Sequence, residues 1–194
     1  DYLKTIIKQI KLIENLVNEF SDFARMPKPI LKENNLISIM NDSIKLLKEI
    51  DLSISINFKF EEEKILFECD SEQIGRVFFN LIKNSIESIQ EKSIKNTDFA
   101  KKIHIEIINK SDYIEITISD NGTGFSEKNL KSIFKPYFTT KSKGSGLGLS
   151  IVNKIVNDHR GTIKFEQKKN GVKVIIYLNK NVNWNINYRW QPRY

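Results

Sequence analysis

Cysteine and histidine are scarce in this sequence, and long apolar runs are missing. The single cysteine, Cys69, excludes an internal disulfide and a cysteine-based metal site. No apolar run approaches the length of a membrane-spanning helix, and no signal peptide opens the chain. These features fit a reducing, cytoplasmic setting. The two histidines, His104 and His159, limit the candidates for imidazole chemistry.

Basic residues outnumber acidic ones, and the formal net charge is +7 at pH 7. This excess suits a polyanionic ligand such as a nucleotide, and equally a nucleic acid or an acidic partner. A lysine-rich composition encoded by an AT-rich genome is the simpler explanation. The hydrophobic share of 40% and the charged share of 28% are ordinary for a globular protein of one or two domains. The sequence begins at Asp1 in the middle of a helical pattern, so we expect it to be a piece of a longer chain.

Residues 1–25 carry apolar side chains at helical spacing without an interrupting glycine or proline. The stripe consists of Leu3, Ile6, Ile10, Ile13, Leu16, Val17, Phe20 and Phe23. The segment MPKP, residues 26–29, then ends the helix, because proline cannot continue it. Such a stripe predicts a partner helix, either in a helical hairpin cut in half or in a dimeric bundle. An ordinary first helix that packs on the following domain is the alternative.

After Pro29 the pattern becomes a mixture of helices and strands. Helical periodicity predicts helices at 36–50, 72–90 and 146–158, the second of them capped by Asp70 or Ser71. Alternating or apolar runs predict strands at 52–60, 64–70, 102–110, 113–120, 161–168 and 171–178. Polar or glycine-containing stretches predict loops at 91–101 and 121–145. We therefore predict an α+β fold preceded by a long N-terminal helix.

The segment NLIKNSIE, residues 80–87, places two amides on one face of the helix at 72–90. Asn80 and Asn84 are four residues apart, and Glu87 follows one turn on. Neutral amide oxygens suit Mg²⁺ that keeps some waters and is held mainly by substrate phosphates. A solvent-exposed polar face is the alternative. The core side of this helix is already covered by Phe78, Phe79, Leu81, Ile82 and Ile86.

The segment ISDNGTGF, residues 118–125, places a carboxylate at the end of an apolar strand. Asp120 could accept a hydrogen bond from the amino group of adenine. Gly122 and Gly124 would let the backbone approach a base or ribose closely. A common Asp-Asn-Gly turn is the alternative interpretation.

The stretch KGSGLGLSIVNKIV, residues 143–156, places Gly144, Gly146 and Gly148 directly before a helix. A glycine-rich turn that leads into a helix N-terminus can bind anions, because free backbone N–H groups and the helix dipole face the ligand. The pattern is neither a Walker P-loop nor a dinucleotide fingerprint. On its own it is equally consistent with a flexible loop.

The segment before these glycines is IFKPYFTTKSK, residues 133–143. We expect its aromatic residues to anchor a lid by packing, and its hydroxyl and charged residues to lie near phosphates. The aromatic set is Phe134, Tyr137 and Phe138, and the polar set is Thr139, Thr140 and Lys141. A surface loop with a small hydrophobic plug is the alternative.

Taken together and in this order, the four segments resemble the sequence boxes of one ATP-binding domain. NLIKNSIE resembles an N box, DNGTG a G1 box, FKPYF an F box and GSGLGLS a G2 box. This domain, the Bergerat fold, is shared by histidine kinases, gyrase B, the Hsp90 chaperones and mismatch-repair ATPases. The resemblance covers about residues 32–178 and implies a mixed sheet with helices packed on one face. It also implies that ATP lies between the N-box helix and the lid.

The resemblance implies a role for each box. Asn80 and Asn84 would hold Mg²⁺, Asp120 would bind adenine, and the backbone amides of the glycine loop would meet phosphates. Some relatives have a base at the position of Glu87, so Lys141 or Lys83 would supply that charge here, and Glu87 could act only through Mg²⁺ or water. The candidate cofactor-binding residues are Asn80, Lys83, Asn84, Glu87, Asp120, Gly122, Gly124, Phe125, Phe138, Thr139, Thr140, Lys141, Lys143, Gly144, Ser145, Gly146, Leu147 and Gly148, with Arg76 and Gln73 as weaker ones on the same helix.

The residue one turn before Asn84 indicates the branch of this family. Hydrolytic members carry a glutamate there to activate water, whereas this sequence has Asn80, which cannot take a proton. Histidine kinases need no such base, because their nucleophile is an imidazole. The segment LVNEFSDFARMPKP also resembles the second helix of the dimerisation and histidine-phosphotransfer domain of nitrogen-regulation-type membrane sensor kinases.

The phosphoacceptor motif, HE or HD, is absent from this sequence. His104 falls in a predicted strand and His159 just after a predicted helix, and neither is followed by an acid. We interpret both as structural residues and assign no catalytic acceptor in this chain. The chain should therefore bind ATP but be unable to phosphorylate itself, since no imidazole is positioned in line with the phosphate.

The sequence thus resembles the catalytic domain of a two-component sensor histidine kinase, which passes the γ-phosphate of ATP to a histidine and then to an aspartate of a response regulator. We expect part of the dimerisation hairpin at 1–29, the ATP-binding domain at 30–179 and a tail at 180–194. The expected partners are ATP, Mg²⁺, a receiver domain and a second copy through the N-terminal helix, without nucleic acid, in the cytoplasmic portion of an inner-membrane sensor. The alternatives are a degenerate nucleotide-binding and dimerisation module, a Bergerat ATPase or serine kinase, and nucleic-acid binding through the basic tail.

Overall fold

The computed structural model describes residues 2–95, 98–130, 132–139, 141 and 144–180. Helices and strands alternate irregularly along this part of the chain. Their order is α1 (Tyr2–Ala24), β1 (Lys32–Asn35), α2 (Leu36–Lys48), β2 (Ser55–Phe60), β3 (Leu66–Cys69), α3 (Ser71–Lys95), β4 (Lys102–Asn109), β5 (Tyr113–Asp120), α4 (Glu127–Leu130), α5 (Gly148–Asp158), β6 (Gly161–Gln167) and β7 (Val172–Asn179).

Five of the strands form one mixed sheet in the order β2-β4-β5-β7-β6. β2 and β4 are parallel, whereas β4–β5, β5–β7 and β7–β6 are antiparallel. β1 and β3 form a separate antiparallel pair. The mixed sheet that the sequence predicted is therefore confirmed, and its central strand, β5, ends at Asp120.

One face of the sheet forms the hydrophobic core. Isoleucines alternate along β4 and β5, and their inward-facing members, such as Ile105 and Ile116, are completely buried. α3 crosses β4 and β5, and α5 packs on α3 and β6, while α2 packs on α3. The helices thus cover a single face, as predicted, and the long helix α3 lies over the end of the central strand.

Asp70 fixes the start of α3 and ties three parts of the chain together. Its Oδ1 accepts hydrogen bonds from the backbone N–H groups of Glu72 and Gln73, both at 3.1 Å, which makes it the N-cap. Its Oδ2 accepts the N–H of Ile30 at 2.9 Å. Burial alone would raise the pKa of this carboxyl, but the N–H donors of Ile30, Gln73 and Glu72 lower it.

His159 is a structural residue, as predicted. Its side chain is buried, Nε2 accepts the N–H of Asp70 at 3.0 Å, and Nδ1 lies 2.8 Å from the carbonyl oxygen of Ile155. Because Nε2 is the acceptor, Nδ1 must carry the proton and donate it, so the neutral tautomer is fixed. Burial lowers the pKa of this imidazole. His104 lies in β4, opposite Ser119 of β5, as its predicted place in a strand requires.

Several predicted boundaries were wrong. The third helix continues to Lys95, where we predicted a loop at 91–101, because glutamate and lysine are good helix formers despite their polarity. The strand predicted at 52–60 begins only at Ser55, since Asp51 accepts the N–H and hydroxyl of Ser53 and forms a turn. The short elements β1 and α4 were not predicted. The division into segments 1–29, 30–179 and 180–194 stays a prediction, and residues 181–194 lie outside the described part of the chain.

The first helix carries an exposed apolar stripe. Side chains along it are each 49–58% exposed, namely Ile6, Ile10, Ile13, Val17 and Phe20. This stripe agrees with the predicted spacing, and most of it faces solvent rather than the sheet domain. Within the described residues, no helix is both long enough and apolar enough to cross a membrane.

Candidate functional site

Asp120 is buried where α3 meets the loop that follows β5. Its side chain is only 8% exposed. Oδ1 accepts the N–H of Gly122 at 2.9 Å, and Oδ2 accepts the hydroxyl of Ser85, on α3, at 3.2 Å. Burial raises the pKa of this carboxyl, opposed by these two hydrogen bonds, by the backbone N–H of Val172 and by the charge of Lys92. A buried acceptor of this kind can read a donor group of a ligand.

The turn at residues 121–125 packs directly on α3. A Cβ atom at Gly122 would lie 2.7 Å from the carbonyl carbon of Ser88, so this close approach requires glycine. The hydroxyl of Ser88 accepts the N–H of Thr123 at 3.0 Å. On the other side of the turn, the N–H of Phe125 donates to Oε1 of Gln167 at 2.7 Å. The position of the turn is therefore fixed from both sides.

The predicted amide face of α3 is partly exposed. Asn80 and Asn84 are both half-buried, and Asn80 lies near the start of α5, where its Oδ1 would be 3.6 Å from a Cβ placed on Gly148. Oδ1 of Asn84 accepts a hydrogen bond from Nζ of Lys141 at 3.4 Å. The same ammonium forms an ion pair with Glu87. The N-box residues and the loop before the glycines are thus in contact.

The glycine loop leads into α5 with its first amide groups uncapped. The N-cap residue of α5 is Leu147, which is buried and makes no side-chain capping hydrogen bond. Gly146 has a φ of +71°, a conformation that favours glycine, and a Cβ there would lie 2.5 Å from the carbonyl carbon of Tyr137. The amides of the first helical turn are therefore available to an anion.

Two hydroxyl groups shape the remainder of this loop. Thr139 Oγ1 accepts the N–H of Lys141 at 3.0 Å, and the N–H of Gly144 donates to the carbonyl of Lys141 at 3.2 Å. Ser145 Oγ accepts the N–H of Leu147 at 3.3 Å. The predicted residues Thr140 and Lys143 lie outside the described residues.

The aromatic segment behaves only partly as predicted. Phe134 packs edge-on against Phe165 of β6 with a centroid distance of 5.4 Å, and Phe125 does so at 6.0 Å. These two rings therefore anchor the loops to the sheet. Tyr137 does not join them, because it is 60% exposed and stacks on Phe20 of α1 at 6.4 Å. Phe138 is half-buried next to it.

The remaining predicted residues of α3 are spread along the helix. Lys83 lies 4.0 Å from Glu87, one turn away. Gln73 donates to the carbonyl of Pro27 at 3.1 Å and so holds the linker after α1. Arg76 lines a groove between α2 and α3 together with Ile39. Gln73 and Arg76 therefore lie near the start of α3, where they face the linker and the α2–α3 groove, and they are weaker candidates for phosphate ligands.

Sequence reasoning missed four residues that hold the site together. Ser85 and Ser88 on α3 bind Asp120 and the following turn, and their spacing of three residues on the amide face was a usable signal. Lys92 donates to the carbonyl of Asn121 at 2.7 Å. Gln167 was not recognisable, because only the pairing of β6 with β7 brings it to the turn.

Comparisons with known proteins match the chain to one family and one fold. Residues 69–182 match the family of histidine kinase-, DNA gyrase B-, and HSP90-like ATPases. A Rickettsia bellii protein named as an NtrY-like sensor histidine kinase is 35% identical over 175 residues, which is 90% of this chain but 28% of the relative. The solved catalytic domain of the histidine kinase ThkA is 31% identical, with a TM-score of 0.67 over 77% of this chain and 95% of that one. ThkA in complex with the response regulator TrrA gives a TM-score of 0.74 at 27% identity, over 93% of this chain and 51% of ThkA.

Proposed function

Because the chain belongs to the family of histidine kinase-, DNA gyrase B-, and HSP90-like ATPases, we propose that it binds ATP and Mg²⁺ and transfers the γ-phosphoryl group to a histidine of a dimerisation hairpin. The observation that carries this proposal is that two segments distant from α3 in sequence both contact it, namely the end of β5 with the turn after it and the loop before the glycines. Asp120 contacts Ser85, the turn after it contacts Ser88, and Lys141 of the loop before the glycines contacts Asn84.

The base of the nucleotide would lie against Asp120. The carboxylate has a fixed orientation, since Gly122 and Ser85 each donate to one of its oxygens. It can accept a further hydrogen bond from the exocyclic amine of adenine, whereas guanine presents a carbonyl at the equivalent position and would be repelled. This difference supports a preference for adenine.

The phosphates would lie between α3 and the start of α5. The uncapped amides of the first turn of α5, after Leu147, and the dipole of that helix would stabilise negative charge. Lys141 and Lys83 add positive charge on the side of α3. Phosphoryl transfer depends mainly on such positioning and charge neutralisation.

The residues on α3 fit a divalent cation shared with the phosphates. Oδ1 of Asn84 already faces a cationic group, the ammonium of Lys141, and Asn80 lies one turn away. Mg²⁺ supplies charge neutralisation of the phosphates when bound. Among the described residues, no group of three or more His, Cys, Asp or Glu could form an all-protein metal site. Asn80 also stands where a hydrolytic enzyme needs a base, and an amide cannot abstract a proton from water.

The acceptor would be supplied by the partner helix of a hairpin, since His159 is buried and hydrogen-bonded and His104 lies within β4. We infer that α1 belongs to such a hairpin, because its exposed stripe of Ile6, Ile10, Ile13, Val17 and Phe20 needs a partner. A second copy of the chain would also pack on this stripe. The chain would lie in the cytoplasmic portion of a membrane sensor. A receiver domain would take the phosphoryl group onward, as the ThkA relative forms a complex with a response regulator.

Calorimetric titration with a non-hydrolysable ATP analogue tests this proposal. We expect binding that is strengthened by Mg²⁺, and we expect Asn84→Ala to lose that Mg²⁺ dependence without unfolding, because the side chain is only half-buried. Asn57→Ala, on the exposed surface of β2, is the matched control. Absence of binding by the wild-type chain would favour the degenerate module, and equal Mg²⁺ dependence in Asn84→Ala would overturn the metal assignment.

A further inference from the structure

A lysine ammonium lies against the candidate metal ligand. Nζ of Lys141 donates to Oδ1 of Asn84 at 3.4 Å and forms an ion pair with Glu87. These contacts bridge 57 and 54 residues of sequence, so they are tertiary contacts rather than neighbours on one helix. The backbone of Lys141 is in turn held by Thr139, whose Oγ1 accepts its N–H at 3.0 Å.

The two oxygen ligands of this ammonium are the kind that a hard divalent cation also prefers. Asn84 offers a neutral amide oxygen and Glu87 a carboxylate. Neither ligand can contact both cations fully at once, because the ammonium and a metal ion would repel each other at that separation. The ammonium of Lys141 and a divalent cation would therefore compete for the amide oxygen of Asn84.

A second lysine provides an internal comparison. Lys83 lies 4.0 Å from the other oxygen of Glu87, as its neighbour four residues earlier on α3. In the described contacts it approaches only the carboxylate, whereas Lys141 approaches the carboxylate and the amide. The two lysines thus add similar charge near Glu87 and differ in their relation to Asn84.

We propose that Lys141 occupies the cation position at Asn84 when no nucleotide is bound, and that Mg²⁺ displaces it. Glu87 holds whichever cation is present, and the displaced ammonium of Lys141 turns to the phosphates. This inference rests on the proposed function, and it makes Glu87 a positioning residue for both cations. This exchange keeps the charge of Glu87 neutralised with and without Mg²⁺, since the ammonium leaves the carboxylate only as the divalent cation arrives.

Titration of the protein with Mn²⁺ alone, detected by electron paramagnetic resonance and competed with Mg²⁺, measures this exchange without nucleotide. Lys141→Met should bind Mn²⁺ more tightly than wild type, on the order of tenfold, because one adjacent charge and its direct competition are gone. Lys83→Met, the matched control, should gain less than about threefold, since it removes only a charge that is half exposed to solvent. Equal gains in the two variants, or no gain in Lys141→Met, would overturn the proposal.

Two further variants exclude indirect explanations. Lys141→Arg keeps a cation at the same place and should bind Mn²⁺ close to the wild-type affinity. Glu87→Gln should weaken Mn²⁺ binding, because an amide replaces the carboxylate that holds either cation. Tighter Mn²⁺ binding by Glu87→Gln would contradict its role. Thermal melts of each variant identify any that fail to fold, and Lys141→Gln, which also removes the charge, replaces Lys141→Met if that variant does not fold.

Nucleotide titrations separate failure of this inference from failure of the proposed function. Without divalent cation, Lys141→Met should bind the ATP analogue more weakly than wild type, since only the wild-type chain then keeps a positive charge at the cation position beside the phosphates. If the wild-type chain binds no nucleotide, the proposed function fails, and the Mn²⁺ comparison still decides whether Lys141 and the metal compete. If nucleotide binds but the Mn²⁺ affinities of the two methionine variants coincide, only the exchange is refuted.

Discussion

Replacing Asp120 with asparagine removes the charge of the buried acceptor while keeping its shape. The asparagine oxygen can still accept the N–H of Gly122, which donates to Asp120 at 2.9 Å, and its NH₂ group can donate to the hydroxyl of Ser85. The fold should therefore survive. What is lost is a charged acceptor for the base, and a hydrogen bond to a charged group contributes about 1.5–3 kcal/mol. We expect the affinity for ADP to fall roughly 10- to 150-fold.

The same substitution should flatten the pH dependence of stability. Burial raises the pKa of Asp120 above its ordinary value of 3.8, so the native state retains this proton to a higher pH than the unfolded chain. The contribution to the free energy of unfolding is thus fully present below pH 3.8 and is lost as pH rises through the higher native value. The amide of the Asp120→Asn variant cannot titrate, and urea unfolding of that variant at several pH values should lack this decrease.

Calorimetry with ADP and with GDP measures the binding effect directly. Asp42→Asn is the control for loss of one negative charge, because Asp42 lies on the exposed side of α2 beside Lys45. The control should keep both the affinity for ADP and the preference for ADP over GDP. If Asp120→Asn keeps them as well, the base is recognised elsewhere and the reasoning about the buried carboxylate is wrong.

Three other substitutions test the supports of the site. Gly146→Ala should weaken binding of ADP by at least about tenfold but leave binding of adenosine unchanged, because a Cβ at φ +71° would collide with the backbone of Tyr137. Unchanged ADP affinity would contradict this expectation. Ser85→Ala should raise the pKa of Asp120 further, by removing a hydrogen bond of 3.2 Å to its carboxylate, which carboxyl NMR titration would detect. His159→Leu should lower the free energy of unfolding at pH 7 by about 1–3 kcal/mol, because the N–H of Asp70 loses its buried acceptor. Because burial lowers the pKa of this imidazole, wild type should lose stability as pH falls from 6.5 through the lower native pKa. The variant has no imidazole at this position and should not show that loss in urea unfolding.

Much of the fold could be predicted because the hydrophobic pattern is strong. The alternation of isoleucines in β4 and β5 identifies both strands, and Asp70 marks the start of α3. The hydrophobic pattern gives wrong predictions where polar residues form part of a helix or a strand. Residues 91–95 are mostly polar but helical, because they continue α3 over the turn that contains Asn121. β1 is a strand only because it pairs with β3, and its four residues have no β propensity of their own.

The sequence boxes of the candidate site could be recognised from residue type and spacing, but the contacts between them could not be predicted. Asp120, Asn84 and the glycines stand out by type and spacing. The contact between Lys141 and Glu87 depends on how the loop before α5 returns to α3, and no local rule gives that path. The stacking of Tyr137 on Phe20 likewise depends on where α1 lies beside the loop.

Transfer of label from ATP is the most direct test of the proposed kinase activity. The chain would be incubated with γ-labelled ATP and Mg²⁺, with and without a separately purified helix hairpin that carries a phosphoacceptor histidine. We predict acid-labile label on the hairpin, lost when its histidine is replaced by glutamine, and no label on this chain alone. Steady release of inorganic phosphate without labelling of the hairpin would contradict the account and indicate an ATPase.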